Sequence, residues 1–256
     1  MRVSLTNIGI VGYFERLIRS HPLIYIFFRS LIRFTNIFEK DFDGCKNIFF
    51  KNKINIIDVG ASDGISIKYF FNNLHVNKII CFEPHKEYIN ILRRFQKKII
   101  IKPFAIGNQC IEKKIFFPRY KFFNKFFDII TYAHYDKALL KHFIKDFKYR
   151  KNLIISEKKI KIKKIKKINY KIDLIKIDTN GFELNIIRGL LSTIKNSKPA
   201  LIIEINKDGK KISKILNKLN YKGLYYSIKE KKFKNKKPTN VTNKYFLQSN
   251  HIKQFQ

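Results

Sequence analysis

Continuous apolar runs of strand length recur along this chain, each leading into a turn: INIIDVG (54–60), KIICFEP (78–84), IIIKPFAIGN (99–108), KIDLIKIDTNG (171–181) and KPALIIEIN (198–206). This pattern constrains the fold more than any other feature. A strand that is apolar on both sides must be covered on both faces, and parallel strands joined by crossover helices do that. Helical patterns fill the gaps at about 65–74, 85–98, 182–196 and 209–220, the second with Tyr88, Leu92 and Phe95 along one side. The expectation is an α/β fold, a mostly parallel sheet with helices on both faces. GLYYSIKE (223–230) and KYFLQS (244–249) would close it as an antiparallel C-terminal edge.

The rhythm breaks between about 109 and 168. A short strand fits KKIFF (113–117), an aromatic and basic stretch follows from Pro118 to Arg150, and Ile and Lys then partly alternate in SEKKIKIKKIKKINYK (156–171). Alternation of that kind suits a strand with one wet face. The chain thus reads as an N-terminal helical extension (1–52) and one domain (53–256), with an insert at about 109–168 covering its cleft.

Ligands of open parallel sheets bind outside the carboxyl ends of the strands, near the switch in strand order. Four such ends carry acids: Asp58, Glu83, Asp178 and Glu204. The first turn, DVGASDG, sets Ala61 and Ser62 between Gly60 and Gly64, and small residues let a ligand approach the backbone. A dinucleotide fingerprint, G-x-G-x-x-G, is missing. Asp58 would repel a pyrophosphate and suits a ligand carrying positive charge. Glu83 closes the second strand about 20 residues after the turn, where an acid accepts hydrogen bonds from ribose hydroxyls. Together they favour S-adenosylmethionine over NAD.

IDVGASDG, CFEPHKEYINILRR, KPFAIGN, IDLIKIDTNGFELNIIRGL and KPALIIEIN, in this order, resemble the FkbM family of S-adenosylmethionine-dependent methyltransferases over about residues 53–206. The fourth-strand motif keeps Lys176, Asp178, Gly181 and Glu183. It departs at Asn180, where the family usually has Glu, and at KKINY before the strand. The resemblance implies a Rossmann-like class I methyltransferase fold, S-adenosyl-L-methionine as cofactor and methyl transfer to oxygen, commonly of a sugar, glycan or other hydroxyl-bearing small molecule. Carried over by motif, Asp58, Gly60, Ala61 and Gly64 would wrap the methionine end, Glu83 the ribose, and Ala105 and Ile106 the adenine. Asp178 would orient or deprotonate the acceptor, with Glu183 and Glu204 as further catalytic candidates. For Glu183 a structural reading stands beside that one, an acid compensating the dipole of its helix.

The 54 Lys and Arg against 19 Asp and Glu give a formal charge of +35, a field that attracts nucleic acid, anionic lipid or acidic polysaccharide. Lys, Ile and Asn are abundant throughout and the lysines form no single arm, so composition bias is the first reading. The rival is a nucleic-acid-binding protein or RNA methyltransferase using FFPRYKFFNKFFDIITYAHYDK (116–137) as a stacking platform. His134 and His142, in the insert, are candidates to contact the substrate under either reading. No histidine pairs with a carboxylate at metal-ligand spacing, so no metal site is expected, a metal-assisted route through Asp178 and Glu204 being the minor alternative. Cys45, Cys81 and Cys110 suit a reducing cytoplasm. HPLIYIFFRSLIRFTNIF (21–38) is interrupted by Arg29 and Arg33 and is too short and charged to span a bilayer. It reads as a packed helix or as an interfacial one touching anionic lipid at the inner membrane face.

Overall fold

The computed structural model describes residues 40–49, 52–145, 147, 150–165, 168–204, 207–239 and 241–252, with isolated positions at 21, 24, 27 and 30. The segment expected to be a packed or interfacial helix, 21–38, otherwise lies outside the described residues. Among the described residues no helix is long and apolar enough to cross a membrane. The chain divides into two compact units, Phe38–Ile111 with Lys161–Gln256, and Met1–Ile37 with Glu112–Ile160.

The larger unit begins with α1 (Gly44–Ile48), β1 (Ile54–Val59), α2 (Ile65–Asn73), β2 (Val76–Phe82), α3 (Lys86–Leu92), β3 (Ile99–Lys102) and β4 (Ala105–Ile106). The chain then forms β5 (Ile111–Phe122), β6 (Lys125–Asp128), α4 (Lys137–Phe143) and β7 (Leu153–Lys163). The larger unit resumes with β8 (Leu174–Ile177), α5 (Glu183–Gly189), α6 (Leu191–Ser197), β9 (Ala200–Glu204) and α7 (Gly209–Asn217). It ends with β10 (Lys222–Ser227), β11 (Lys232–Lys234), β12 (Asn243–Leu247) and α8 (Ser249–Ile252).

Its main sheet has the order β11-β10-β12-β9-β8-β1-β2-β3. Strands β3, β2, β1, β8 and β9 are parallel, and every residue of β8 is buried, as a strand covered on both faces requires. The chain steps outward from β1 to β3 and returns on the other side of β1 as β8, so the strand order switches between β1 and β8. The C-terminal strands form an antiparallel edge, as expected, with β12 on its inner side. Strand β12 inserts between β9 and β10, antiparallel to both, so β10 runs with β9 and the short β11 forms the edge.

Departures have local causes. The run 99–108 splits at Pro103, which has no N–H for the ladder. Beyond it β4 leaves the main sheet and pairs with the end of β7. The expected helix 182–196 is interrupted at Leu190 into α5 and α6, and Gly189 beside the break lets the Gly107 backbone approach, since a Cβ there would lie 2.4 Å from the Gly107 carbonyl oxygen. The expected helix 85–98 stops at Leu92 and continues as a 3-10 turn, Arg93–Phe95. The larger unit begins at Phe38. Asp41 accepts hydrogen bonds from the Asn243 backbone and amide, its carbonyl accepts from the Tyr245 hydroxyl at 2.6 Å, and Phe42 packs on Tyr69 and Phe70. Residues 40–48 therefore pack on the sheet unit.

In the smaller unit β7, β5 and β6 lie side by side in that order. Tyr120, Ile129, Leu140, Ile144 and Phe147 form its core, with Phe116, Tyr132, Leu153 and Ile155 against them. Asp136 caps α4, accepting from the N–H groups of Ala138 and Leu139, a contact worth about 1 kcal/mol. Arg119 holds Asp128 through two hydrogen bonds across the β5–β6 pair. The stacking platform of the rival reading is reduced by this packing, since Phe117 and Tyr120 are buried. His134 is also structural: it is buried, its backbone bridges Phe116, and its Nδ1 accepts from the Asp136 N–H.

Candidate active site at the carboxyl edge of the sheet

The switch in strand order brings the ends of β1 and β8 together. Beyond β1 the backbone takes a left-handed turn, with φ of +77° at Gly60, +51° at Ser62 and +83° at Gly64. Gly60 is required by tertiary packing: a Cβ there would lie 2.0 Å from the carbonyl oxygen of Asp178. The glycine expected to admit a ligand thus first admits the neighbouring strand. Ser62 tolerates its conformation because its N–H donates to Glu83 Oε2 at 2.8 Å.

Glu83, at the end of β2, also accepts the His85 N–H on its other carboxylate oxygen, at 2.9 Å. It is a buried brace between the second strand and the first turn. Burial pushes its pKa up to about 7, against the lowering effect of the His85 and Ser62 N–H groups. Each oxygen spends one acceptor position on backbone, so a ribose hydroxyl would meet a carboxylate already held in place.

Asp58 is fully buried. Its Oδ2 accepts the Ser66 hydroxyl at 2.5 Å, while Oδ1 has no hydrogen bond and lies 3.3 Å from the Lys176 ammonium. Lys176, part of the fourth-strand motif but not among the expected site residues, stands at the centre of this edge. Its Nζ donates to the Gly60 carbonyl at 3.0 Å and also lies 3.6 Å from Asp178 Oδ2. One ammonium therefore ties together the end of β1, the first turn and the end of β8. A signal was present: lysine in the middle of LIKI, a strand otherwise apolar, is almost never buried unless paired. Ser66, in the first turn of α2, carried no comparable signal.

After Asp178 the chain turns through Asn180 at φ +53° and Gly181 at φ +105°. Asparagine enters the left-handed region more readily than most residues, which suits position 180. Glu183 holds this turn: its Oε1 accepts from the Thr179 N–H, the Thr179 hydroxyl and the Gly181 N–H. It is buried, and burial raises its pKa against those same hydrogen bonds. Its geometry is that of a clamp on the Asp178 turn.

Of the remaining candidates, Ala61 is buried in the first turn, and Ile106 is fully buried where β4 pairs with β7. Ile106 presents no exposed surface, and Ala105 beside it is also buried. Glu204 ends β9, opposite Asn243 of β12, one strand beyond Asp178, and is partly exposed. Among the described residues no three His, Cys, Asp or Glu side chains converge at metal-ligand spacing.

The edge thus holds two carboxylates, Asp58 and Asp178, around a single ammonium. Their sum is negative, which favours a cationic ligand group over a phosphate. Asp178 is the partly exposed member of the trio, and Asp58, Glu83 and Glu183 are committed inside.

Comparison with known proteins bears on the same residues. The family model described as "Methyltransferase FkbM domain" matches residues 58–226. No curated protein matches the chain. Among solved structures, the FkbM methyltransferase of Methylobacillus flagellatus is 17% identical with a TM-score of 0.46, the match covering 76% of this chain and 43% of that one. The match therefore spans less than half of that protein's length. A TehB-like SAM-dependent methyltransferase from Corynebacterium glutamicum is 9% identical with a TM-score of 0.45, covering 87% of this chain and 94% of that one. A precorrin-6y C5,15-methyltransferase from Geobacter metallireducens is 12% identical with a TM-score of 0.41, covering 82% and 87%.

Proposed function

Since the chain belongs to the FkbM methyltransferase family, with S-adenosyl-L-methionine as cofactor, we propose that it methylates a hydroxyl oxygen, on a sugar or glycan. When bound, that cofactor supplies an electrophilic methyl group on a positively charged sulfur. The observation that carries the reading is the Asp58–Lys176–Asp178 cluster, with its surplus negative charge at the switch in strand order. Asp58 and the turn from Gly60 to Gly64 would hold the methionine end, and Glu83 would accept from the ribose. Ala105 and Ile106 would sit near the adenine.

Asp178 is the acid left to meet an acceptor. Lys176 balances part of its charge and restrains its position, so a hydroxyl can be oriented by the carboxylate and deprotonated as its oxygen takes the methyl group. Positioning supplies much of the rate of an in-line displacement, and a carboxylate base adds about 10²–10⁴-fold. Glu183 acts through the turn it clamps, as a positioning residue, and Glu204 borders the acceptor side.

The test is methyl transfer from labelled cofactor, with sugar nucleotides, glycans and RNA offered in parallel. Label in a hydroxyl-bearing sugar supports the reading, and label in RNA alone overturns it. On the accepted substrate, Asp178→Asn should lower turnover about 10²-fold or more, with a smaller loss of cofactor affinity because the surplus negative charge goes with it. Turnover at the wild-type rate would move the base to Glu204.

A further inference from the structure

The β5–β6 hairpin of the smaller unit ends in Lys121, Phe122, Phe123, Asn124, Lys125 and Phe126, and all six residues are exposed. Phe122 and Lys125 are cross-strand partners, so Phe123 and Asn124 alone make the turn. Phe123 is 83% exposed and stands at φ +50°. That conformation is costly for a bulky residue and natural for glycine, so the local backbone gives no reason for a phenylalanine there. Nor does packing, because Phe122, Phe123 and Phe126 all face solvent while Tyr120, just below, fills the core. An apolar group kept at a strained and solvated tip points to a binding role.

We propose that this hairpin tip inserts into the interface of an anionic lipid bilayer. A hairpin tip is convex, so it enters a soft apolar phase better than it cradles a small ligand. Lys121 and Lys125 flank the rings, where their stems can lie along acyl chains while the ammonium groups meet lipid phosphates. The chain's +35 charge draws it to such a surface and opposes a second copy of itself. Base stacking is the weaker fit. Phe122 and Phe123 pack edge to face at 4.7 Å, and the Arg119 guanidinium lies 5.8 Å from the Phe126 ring, so the rings do not form an open platform.

The chain contains no tryptophan, so Phe123→Trp installs a single emission reporter at the tip. Full-length protein should co-sediment with phosphatidylcholine vesicles containing phosphatidylglycerol, and bind weakly to phosphatidylcholine alone. Emission from the introduced indole should shift to the blue on binding. Replacing Phe122, Phe123 and Phe126 together by Ser should weaken binding about tenfold or more, with unchanged circular dichroism, since the side chains are exposed. Lys121→Ser and Lys125→Ser should each cost about fivefold. The proposal fails if the wild type stays unbound, if emission does not move on binding, or if the triple variant binds like the wild type. It also fails if single-stranded oligonucleotide shifts the emission and vesicles do not, or if the triple substitution instead dissolves a dimer.

Discussion

Lys176→Met removes the ammonium at the centre of the edge and keeps an unbranched side chain of similar length. The wild-type lysine is buried, 3.3 Å from Asp58, 3.6 Å from Asp178 and 3.0 Å from the Gly60 carbonyl. Asp58 Oδ1 has no hydrogen bond, so without Lys176 this fully buried oxygen has no compensating group. Removing one member of a buried ion pair costs about 3–5 kcal/mol. Loss of packing adds little, because methionine follows the same stem. A loss of about 4 kcal/mol is a large share of the 5–15 kcal/mol that typically holds a domain folded. It would lower the urea midpoint by about 1–2 M. Neutralising the orphaned acid should recover part of this, so Lys176→Met with Asp58→Asn should be more stable than the sum of the singles by at least about 1.5 kcal/mol. A single-variant loss below about 1 kcal/mol, or an additive cycle, would refute the claim that Lys176 holds β1 and β8 together.

Two other outcomes follow from the same geometry. Gly60→Ala meets both a positive φ and the Asp178 carbonyl, so it should cost about 3 kcal/mol or more and weaken cofactor binding; calorimetry and urea melts measure both, and wild-type stability would contradict it. Glu83 should also make stability depend on pH. Its pKa is about 7 folded against an ordinary 4.5, so the folded protein retains a proton that the unfolded chain releases. The stabilisation is fully present below about 4.5 and is lost as pH rises through about 7, and Glu83→Gln should flatten urea midpoints across that window. Coincident wild-type and variant curves would show that Glu83 does not carry the effect.

Much of this site is legible residue by residue. Asp58, Glu83, Asp178 and Glu204 are marked by standing where apolar runs stop, and the end of a parallel strand is a local event. The alternation of Ile160 and Ile162, buried, with Lys159, Lys161 and Lys163, exposed, was equally readable within β7. The hairpin at 121–126 was not: KFFNKF lacks the glycine that announces a two-residue turn, and Phe123 adopts its conformation against local preference.

The sequence by itself determined the parallel sheet, its helical cover and the acids along one edge, because burial on both faces and strand termination are written in short windows. Tertiary structure alone decided what those residues do for one another. Lys176 meets the Gly60 carbonyl across 116 positions of chain, Asn243 reaches Asp41 across 202, and β12 enters between β9 and β10. No local period encodes such pairings. A buried charge finds the partner that the finished sheet brings within reach, and a glycine yields wherever another backbone arrives.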